Sequence, residues 1–244
     1  MLPNPWDAGS ARVLAGLGFP ALATTSSGFA FTLGRRDGNV SLDEVVAHTE
    51  ALAGATDLPV AVDLEHCYAD EPAGIAGTIA RIAAAGAVGG SIEDWDPAGR
   101  IYPLAEAVER VEAAVAAARA LPFPFLLTAR AENHIHGVDD LADTIARLQA
   151  YEAAGADVLY APGLRDPADL RAVCGAVSRP VNVLALPGMT RDEIVAAGAQ
   201  RISVGGSLTW TAAGALVAAA TAIRDRGDFS LLGTGAPLRD FLPG

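Results

Sequence analysis

Three times along the 244-residue chain a stretch of helical periodicity ends in Ala-Gly-Ala and passes directly into a short apolar run. This happens at Ala85-Gly86-Ala87, Ala154-Gly155-Ala156 and Ala197-Gly198-Ala199. A glycine just past a helix supplies the left-handed residue that terminates it, and a strand starting at once leaves room only for a tight turn. Repetition of that unit restricts the chain to folds in which parallel strands are covered by helices.

The remaining sequence follows the same rhythm. Nearly continuous apolar runs at 20–24, 58–64, 88–92, 123–129, 157–161, 180–184 and 201–204 read as strands buried on both faces. Amphipathic stretches at 8–16, 42–53, 72–85, 103–120, 138–154, 167–177, 191–197 and 209–226 alternate with them. Several open on Ser, Asp or Thr start signals, as in SLDE from Ser41 and TRDE from Thr190. A stub at 2–4 adds a first strand at the extreme N-terminus. The expectation is an α/β fold, a single-domain (β/α)8 TIM barrel over residues 1–244, close to the ~250 residues usual for such barrels. No GxGxxG opens an early helix, which removes the best support for a doubly wound dinucleotide-binding sheet.

A net charge of −12 argues against nucleic acid or an anionic membrane as a general partner. No apolar window is long enough for a membrane span, and MLPNPWDAGS has neither the basic start nor the apolar run of a secretory signal. The two cysteines, Cys67 and Cys174, form no disulfide framework and no CxxC. These features predict a cytoplasmic protein that takes a small molecule.

In a barrel, polar residues at the C-terminal strand ends converge on one mouth. Asp63, Glu65 and Glu93 would gather there, and adjacent carboxylates repel unless a cation compensates them. Hard oxygen donors suit Mg²⁺ or Mn²⁺. The alternative is three separate surface carboxylates at helix N-termini. Arg130 closes an apolar run, so its guanidinium would either clamp a substrate carboxylate or pair with a neighbouring acid. Thr25, Ser26 and Ser27 offer hydroxyl and backbone donors to a carboxylate or phosphonate, and Asn182 joins them from the seventh strand, counting the stub at 2–4 as the first. His134 and His136 follow Arg130 at alternate positions and are candidate proton carriers. His48 reads as a surface residue, Trp95 as a lid, and Trp6 and Trp210 as packing at helix starts.

The order LPNPWDAGSAR, GFPALATTSSGFA, LGRRDG, VAVDLE, SIEDW, LTARAEN, AAGADVLYAPGL and PVNVLALPG spans essentially the whole chain. It resembles the isocitrate lyase / phosphoenolpyruvate mutase superfamily. The resemblance implies that Thr25, Ser26 and Ser27 receive the substrate carboxylate and that Asp37 occupies the mobile-loop aspartate position. It implies Asp63 as the main Mg²⁺ ligand, Glu65 where many members carry Asp, Glu93 in the water-mediated shell, and Arg130 on the substrate. It also implies a homo-oligomer, a dimer or a tetramer with exchanged C-terminal helices, to which the tail 231–244 would contribute.

Three segments depart from that pattern, the first of them in two respects. Residues 95–102 carry neither the Cys of the lyase branches nor the Lys and Asn of the phosphonomutase gating loop. Pro162 stands where other branches hold His or Glu, and the usual Gly-Tyr-Gly after the metal acids is replaced through His66-Cys67-Tyr68-Ala69. Losing both glycines removes backbone freedom there. The expected activity is cleavage or decarboxylation of a small α-keto or α-hydroxy di-acid through a metal-bound enolate, protonated by water, His134, His136 or Tyr102. The alternatives are a phosphonate enzyme and a barrel that only binds a keto acid.

Overall fold

A computed structural model describes residues 1–233 and 238–242. Seven parallel strands form one sheet: β1 (Leu22–Ala23), β2 (Val60–Asp63), β3 (Gly89–Glu93), β6 (Leu126–Arg130), β7 (Val158–Tyr160), β8 (Val181–Leu184) and β9 (Arg201–Ser203), neighbours in that order. The short strands β4 (Trp95–Asp96) and β5 (Arg100–Ile101) make a separate antiparallel hairpin.

Residues 2–4 complete the ring between the two edge strands. The Leu2 N–H donates to the Ile202 carbonyl (2.7 Å), and the Ala23 N–H donates to the Pro3 carbonyl (3.1 Å). Buried Asn4 ties both sides through its amide. Its Nδ2 donates to the Thr24 carbonyl (3.0 Å) and its Oδ1 accepts from the Val204 and Gly205 N–H groups (2.9 Å each). The predicted barrel with its first strand at the N-terminus is therefore the observed one, with side-chain bonds replacing part of a ladder.

The outer layer is α1 (Ala8–Gly16), α3 (Leu42–Ala53), α4 (Pro72–Ala84), α5 (Leu104–Arg119), α6 (Leu141–Ala153), α7 (Pro167–Ala176), α8 (Arg191–Ala196) and α9 (Ser207–Arg226). Reciprocal capping boxes start α1 (Asp7 with Ser10), α3 (Ser41 with Glu44) and α8 (Thr190 with Glu193). Gly86, Gly155 and Gly198 take φ of 102°, 100° and 104°, the left-handed residue each Ala-Gly-Ala requires. Ile75, Ile79 and Ile82 of α4 pack with Leu64, Ile92 and Leu127 in the main core between helices and sheet.

Two elements lay outside the expectation. Ser26–Thr32 forms a short helix, α2, where the sequence suggests a loop; Thr25 caps it by accepting the Gly28 N–H (3.3 Å). The β4–β5 hairpin occupies the stretch 95–101, its turn fixed by Asp96, which accepts from the Ala98 N–H and from Arg100 Nε, both at 2.8 Å. Helix α9 stands apart from the others. Only Thr209 and Ala222 are buried in its twenty residues, and Leu216 and Val217 are 66% and 63% exposed. The tail assigned to packing at 231–244 lies partly outside the described residues. Among the described residues no helix is long and apolar enough to cross a membrane.

Candidate active site

Asp63, the last residue of β2, is fixed on both carboxylate oxygens. Oδ1 accepts from Arg130 Nη1 (2.8 Å) and the Ser91 hydroxyl (3.1 Å), and Oδ2 accepts from the Ser26 N–H (3.3 Å). Arg130 ends β6 and meets two further acids. Its Nη2 lies 3.1 Å from Glu93 Oε2, and its Nε donates to Glu132 Oε1 (2.8 Å). One guanidinium therefore faces three carboxylates, and its own pKa is driven far up: burial works against its charge, but Glu132, Glu93 and Asp63 outweigh that.

The acids divide in response. Burial disfavours the ionised form of Asp63, yet Arg130 and the Ser26 and Ser91 donors hold it below the usual carboxylate range. Burial pushes Glu93 well up, with Glu132 and Asp63 adding repulsion that Arg130 does not cancel. Glu65 is pushed up to about 7, first by burial and then by Asp63 and Asp37, while the Tyr68 hydroxyl (2.6 Å from Oε1) works the other way. Asp37 overhangs the site, and displacement of water by surrounding protein, then the charge of Asp63, raise it too.

A cavity of about 210 Å³ opens at the mouth. A cavity of that size suits a small metabolite. Of the residues singled out from sequence, Thr25, Ser26, Ser27, Asp37, Asp63, Arg130 and Asn182 line it together. Glu65 lies behind Asp63 in a side recess shared with Phe29, His48 and Tyr68. His48 is not a surface residue: its ring stacks on Phe29 at 3.8 Å, and burial depresses its pKa to about 4.

The structure does not bring His134 or His136 into the cavity. His136 stacks on Trp95 (centroids 3.3 Å apart, planes 4° apart), with Nε2 3.7 Å from Glu132 Oε2; His134 Nδ1 lies 3.5 Å from Asp139. Trp95 is thereby held by stacking on the His136 ring. Pro162 and Tyr102 are likewise absent from the lining; Tyr102 is buried under Arg110, whose Cζ is 4.7 Å from its ring.

The segment after the metal acids carries the strain its missing glycines imply. Glu65, Cys67 and Tyr68 take φ of 48°, 64° and 50°, left-handed values that side chains resist. Buried Arg110 braces it from below, donating to the carbonyls of His66 (2.7 Å), Ala69 (2.7 Å) and Asp70 (3.2 Å). Thr78 adds a bond to the Cys67 carbonyl (2.8 Å). The Cys67 thiol is fully buried and pushed up to about 12 by that burial, the wrong direction for a nucleophile.

Among the described residues no group of three His, Cys, Asp or Glu is gathered closely enough to cage a metal alone. Arg130 stands between Asp63 and Glu93, and Tyr68 holds Glu65. The donor set nevertheless fits a hard divalent cation. Asp63, Glu65, Glu93 and Glu132 crowd around one guanidinium, more acids than it can keep ionised, and Mg²⁺ keeps several of its own waters when bound.

Sequence reasoning missed part of the wall. Tyr160, Arg201 and Trp210 line the cavity, as do Asn4, Ser91 and Ser203. The alternation of Arg201 with Ser203 in a short strand is a signal that both face inward; Trp210 and Asn4 carry no local signal.

Comparison with known proteins places this geometry in context. The family model described as phosphoenolpyruvate phosphomutase matches residues 1–224. A crystal structure from Burkholderia cenocepacia J2315, provisionally assigned as a lyase/mutase, is 53% identical with a TM-score of 0.94, covering 98% of this chain and 88% of that one. A second from that organism, provisionally assigned as a phosphonomutase, is 40% identical with a TM-score of 0.85, covering 89% and 91%. The oxaloacetate decarboxylase of Rhodopseudomonas palustris (strain BisB5) is 30% identical over 90% of this chain and 78% of its own length.

Proposed function

The chain belongs to the phosphoenolpyruvate phosphomutase family, and from that premise we propose a Mg²⁺- or Mn²⁺-dependent lyase acting on a small α-keto or α-hydroxy di-acid. It breaks a carbon–carbon bond, by cleavage or decarboxylation, beside the keto or hydroxyl carbon. The observation that carries this reading is the Asp63–Arg130 pair at 2.8 Å, set among further buried acids on the wall of a cavity sized for such a substrate.

Asp63 would hold the metal directly, with Glu65 and Glu93 acting through its waters. When bound, the cation supplies Lewis-acid stabilisation of the negative charge that develops on the substrate oxygen. Arg130 places a fixed positive charge beside that oxygen, and its three carboxylate partners keep it from swinging away. Ser26 and Ser27 present hydroxyls to the reacting carboxylate. The Tyr160 hydroxyl, pushed up to about 12 chiefly by burial, stays protonated and can donate to the carbanion carbon, whereas His134 and His136 are not among the residues that line the cavity.

Thermal unfolding with Mg²⁺, with oxalate and with both tests the site, oxalate being a stable mimic of a pyruvate enolate. Ligand at a hundred times its Kd adds about 2.7 kcal/mol. The expected shift requires both components and disappears in Asp63→Ala and Arg130→Ala. No shift in a folded wild-type protein sinks the reading. Turnover on a panel of α-keto di-acids then separates a lyase from a barrel that only binds them. A phosphonate substrate is the second reading, favoured by the likeness to the second Burkholderia structure, and ³¹P NMR on a C–P compound would reveal it.

We also propose a homo-oligomer built on the exposed apolar side of α9, where Trp210, Leu216 and Val217 are uncovered. The cysteines are unpaired, in keeping with a reducing cytoplasmic compartment.

A further inference from the structure

Elsewhere in the fold buried guanidiniums are held by acids or by a set of carbonyls. Arg130 has three carboxylates. Arg110, without an acid, has three backbone carbonyls and the Tyr102 ring. Arg201 has neither kind of support. Its Nε donates to Asn182 Oδ1 and its Nη2 to Thr128 Oγ1, both at 2.9 Å, and it forms no ion pair with any described residue. A guanidinium carries more donors than these two neutral oxygens can use, and Arg201 lines the open cavity.

The strand register explains where this charge sits. Glu93, Arg130, Tyr160, Asn182 and Arg201 are successive partners across β3, β6, β7, β8 and β9. Glu93 and Arg130 end their strands, whereas Arg201 begins its own. Barrel strands are tilted, so a row of register partners descends along the barrel axis. The row therefore leads from the acid cluster at the mouth, past Tyr160, down to Arg201 in the depth of the cavity.

The acids that line the cavity are Asp37 and Asp63. Around Arg201 the wall is neutral, made by Thr128, Asn182 and Ser203. Asn182 is already engaged on both amide atoms, accepting from Arg201 and donating to Ser203 Oγ (2.9 Å), so its part is to aim the guanidinium. An enclosed cation with no counter-charge is costly unless a ligand supplies one. Burial without a nearby acid drops the pKa of Arg201 to about 10, the opposite of Arg130.

We infer that Arg201, aimed by Asn182 and Thr128, is a second anion subsite that takes the carboxylate of the di-acid remote from the reacting carbon. This deepens the di-acid reading above and rests on it for the identity of the ligand. The site discriminates by charge: a mono-acid with the same head group leaves Arg201 unanswered.

Malate and lactate make the matched pair, since both are α-hydroxy acids and malate adds one remote carboxylate. Isothermal titration in Mg²⁺ is expected to show malate binding at least about tenfold more tightly than lactate, as for a charge pair formed inside protein. Arg201→Gln should bring malate down to the level of lactate while leaving lactate and oxalate unchanged. Asn182→Asp is the second variant; it keeps the arginine and sets an internal carboxylate against it, so it should abolish the preference even if Arg201→Gln folds poorly. Wild type that binds oxalate but does not prefer malate overturns the subsite and leaves the lyase reading standing. Variants that retain the wild-type malate preference overturn it as well. A malate preference that needs Arg201, in a protein that ignores oxalate, supports the subsite and removes the enolate site instead.

Discussion

Replacing Arg110 by methionine should unfasten the left-handed segment that carries Glu65. The residue is 1% exposed and supplies the donors for three carbonyls, two at 2.7 Å and one at 3.2 Å. Hydrogen bonds from a charged group contribute about 1.5–3 kcal/mol each, so the two short ones alone amount to roughly 3–6 kcal/mol. Two effects offset part of this. Methionine no longer has a charge to bury, which recovers several kcal/mol of desolvation. Once unbraced, Glu65, Cys67 and Tyr68 can also leave left-handed conformations that cost about 1–2 kcal/mol each. These offsets cancel most of the bonds lost, so the net expectation is a loss of only about 0–2 kcal/mol, measured by urea unfolding at neutral pH. Arg119→Met is the control, because Arg119 also bonds two carbonyls and Asp157 but is 47% exposed. It should lose no more than about 1 kcal/mol. The Mg²⁺-dependent part of the thermal shift should fall in Arg110→Met and persist in Arg119→Met. If Arg110→Met matches its control in stability and keeps its Mg²⁺ response, Arg110 does not hold the segment.

Three other outcomes follow from the geometry. Gly206→Ala places a Cβ 2.6 Å from Ser27 Oγ and 2.8 Å from Trp210 Nε1, so oxalate affinity should drop by roughly tenfold (about 1.4 kcal/mol) with little change in Tm; unaltered titration curves would contradict it. Asp94, 3% exposed, accepts from Tyr151, Arg147 and the Glu132 N–H, and Asp94→Ala leaves the Tyr151 hydroxyl and the Glu132 N–H unpaired and Arg147 with Asp143 as its remaining acid, which should cost about 2–4 kcal/mol in a denaturant melt. His48 is held neutral in the fold, at about 4 against 6.5 when free, so its contribution is complete above pH 6.5 and disappears as pH falls through 4. That contribution is at most about 3 kcal/mol, and His48→Leu should flatten the stability profile across this window.

What could be read from the sequence was what local chemistry encodes. The Ala-Gly-Ala endings and capping boxes depend on neighbours within a few residues, and they gave the barrel its staves and helices. Asp63, Arg130 and Ser26 were legible because each ends or follows an apolar run, where a parallel barrel must present its side chains. Arg201 opens its strand instead, and only the tilt of the barrel brings that lower position to the cavity. His134 and His136 lie off the cavity lining for a related reason: alternation implies a shared direction in a strand, but both lie past β6 in a turn, where it does not hold. The left-handed loop at 65–68 was flagged by its lost glycines, while its brace, Arg110, sits forty residues away on α5 and had no sequence mark.

The Asn4 latch has a consequence for the order of events as the protein is made. Its amide bonds residues 24, 204 and 205, so one partner is twenty positions away and the others are 200 and 201 away. Synthesis at about 5–20 residues per second separates Asn4 from its distant partners by roughly 10–40 s. Helix–turn–strand units between them can form through local contacts in the meantime, but the ring cannot shut. Closure of the seam is thus the step of highest contact order, and Asn4→Ala should lower the refolding rate if the latch engages before the rate-limiting barrier. If it engages afterwards, the same substitution will leave refolding unchanged and accelerate unfolding.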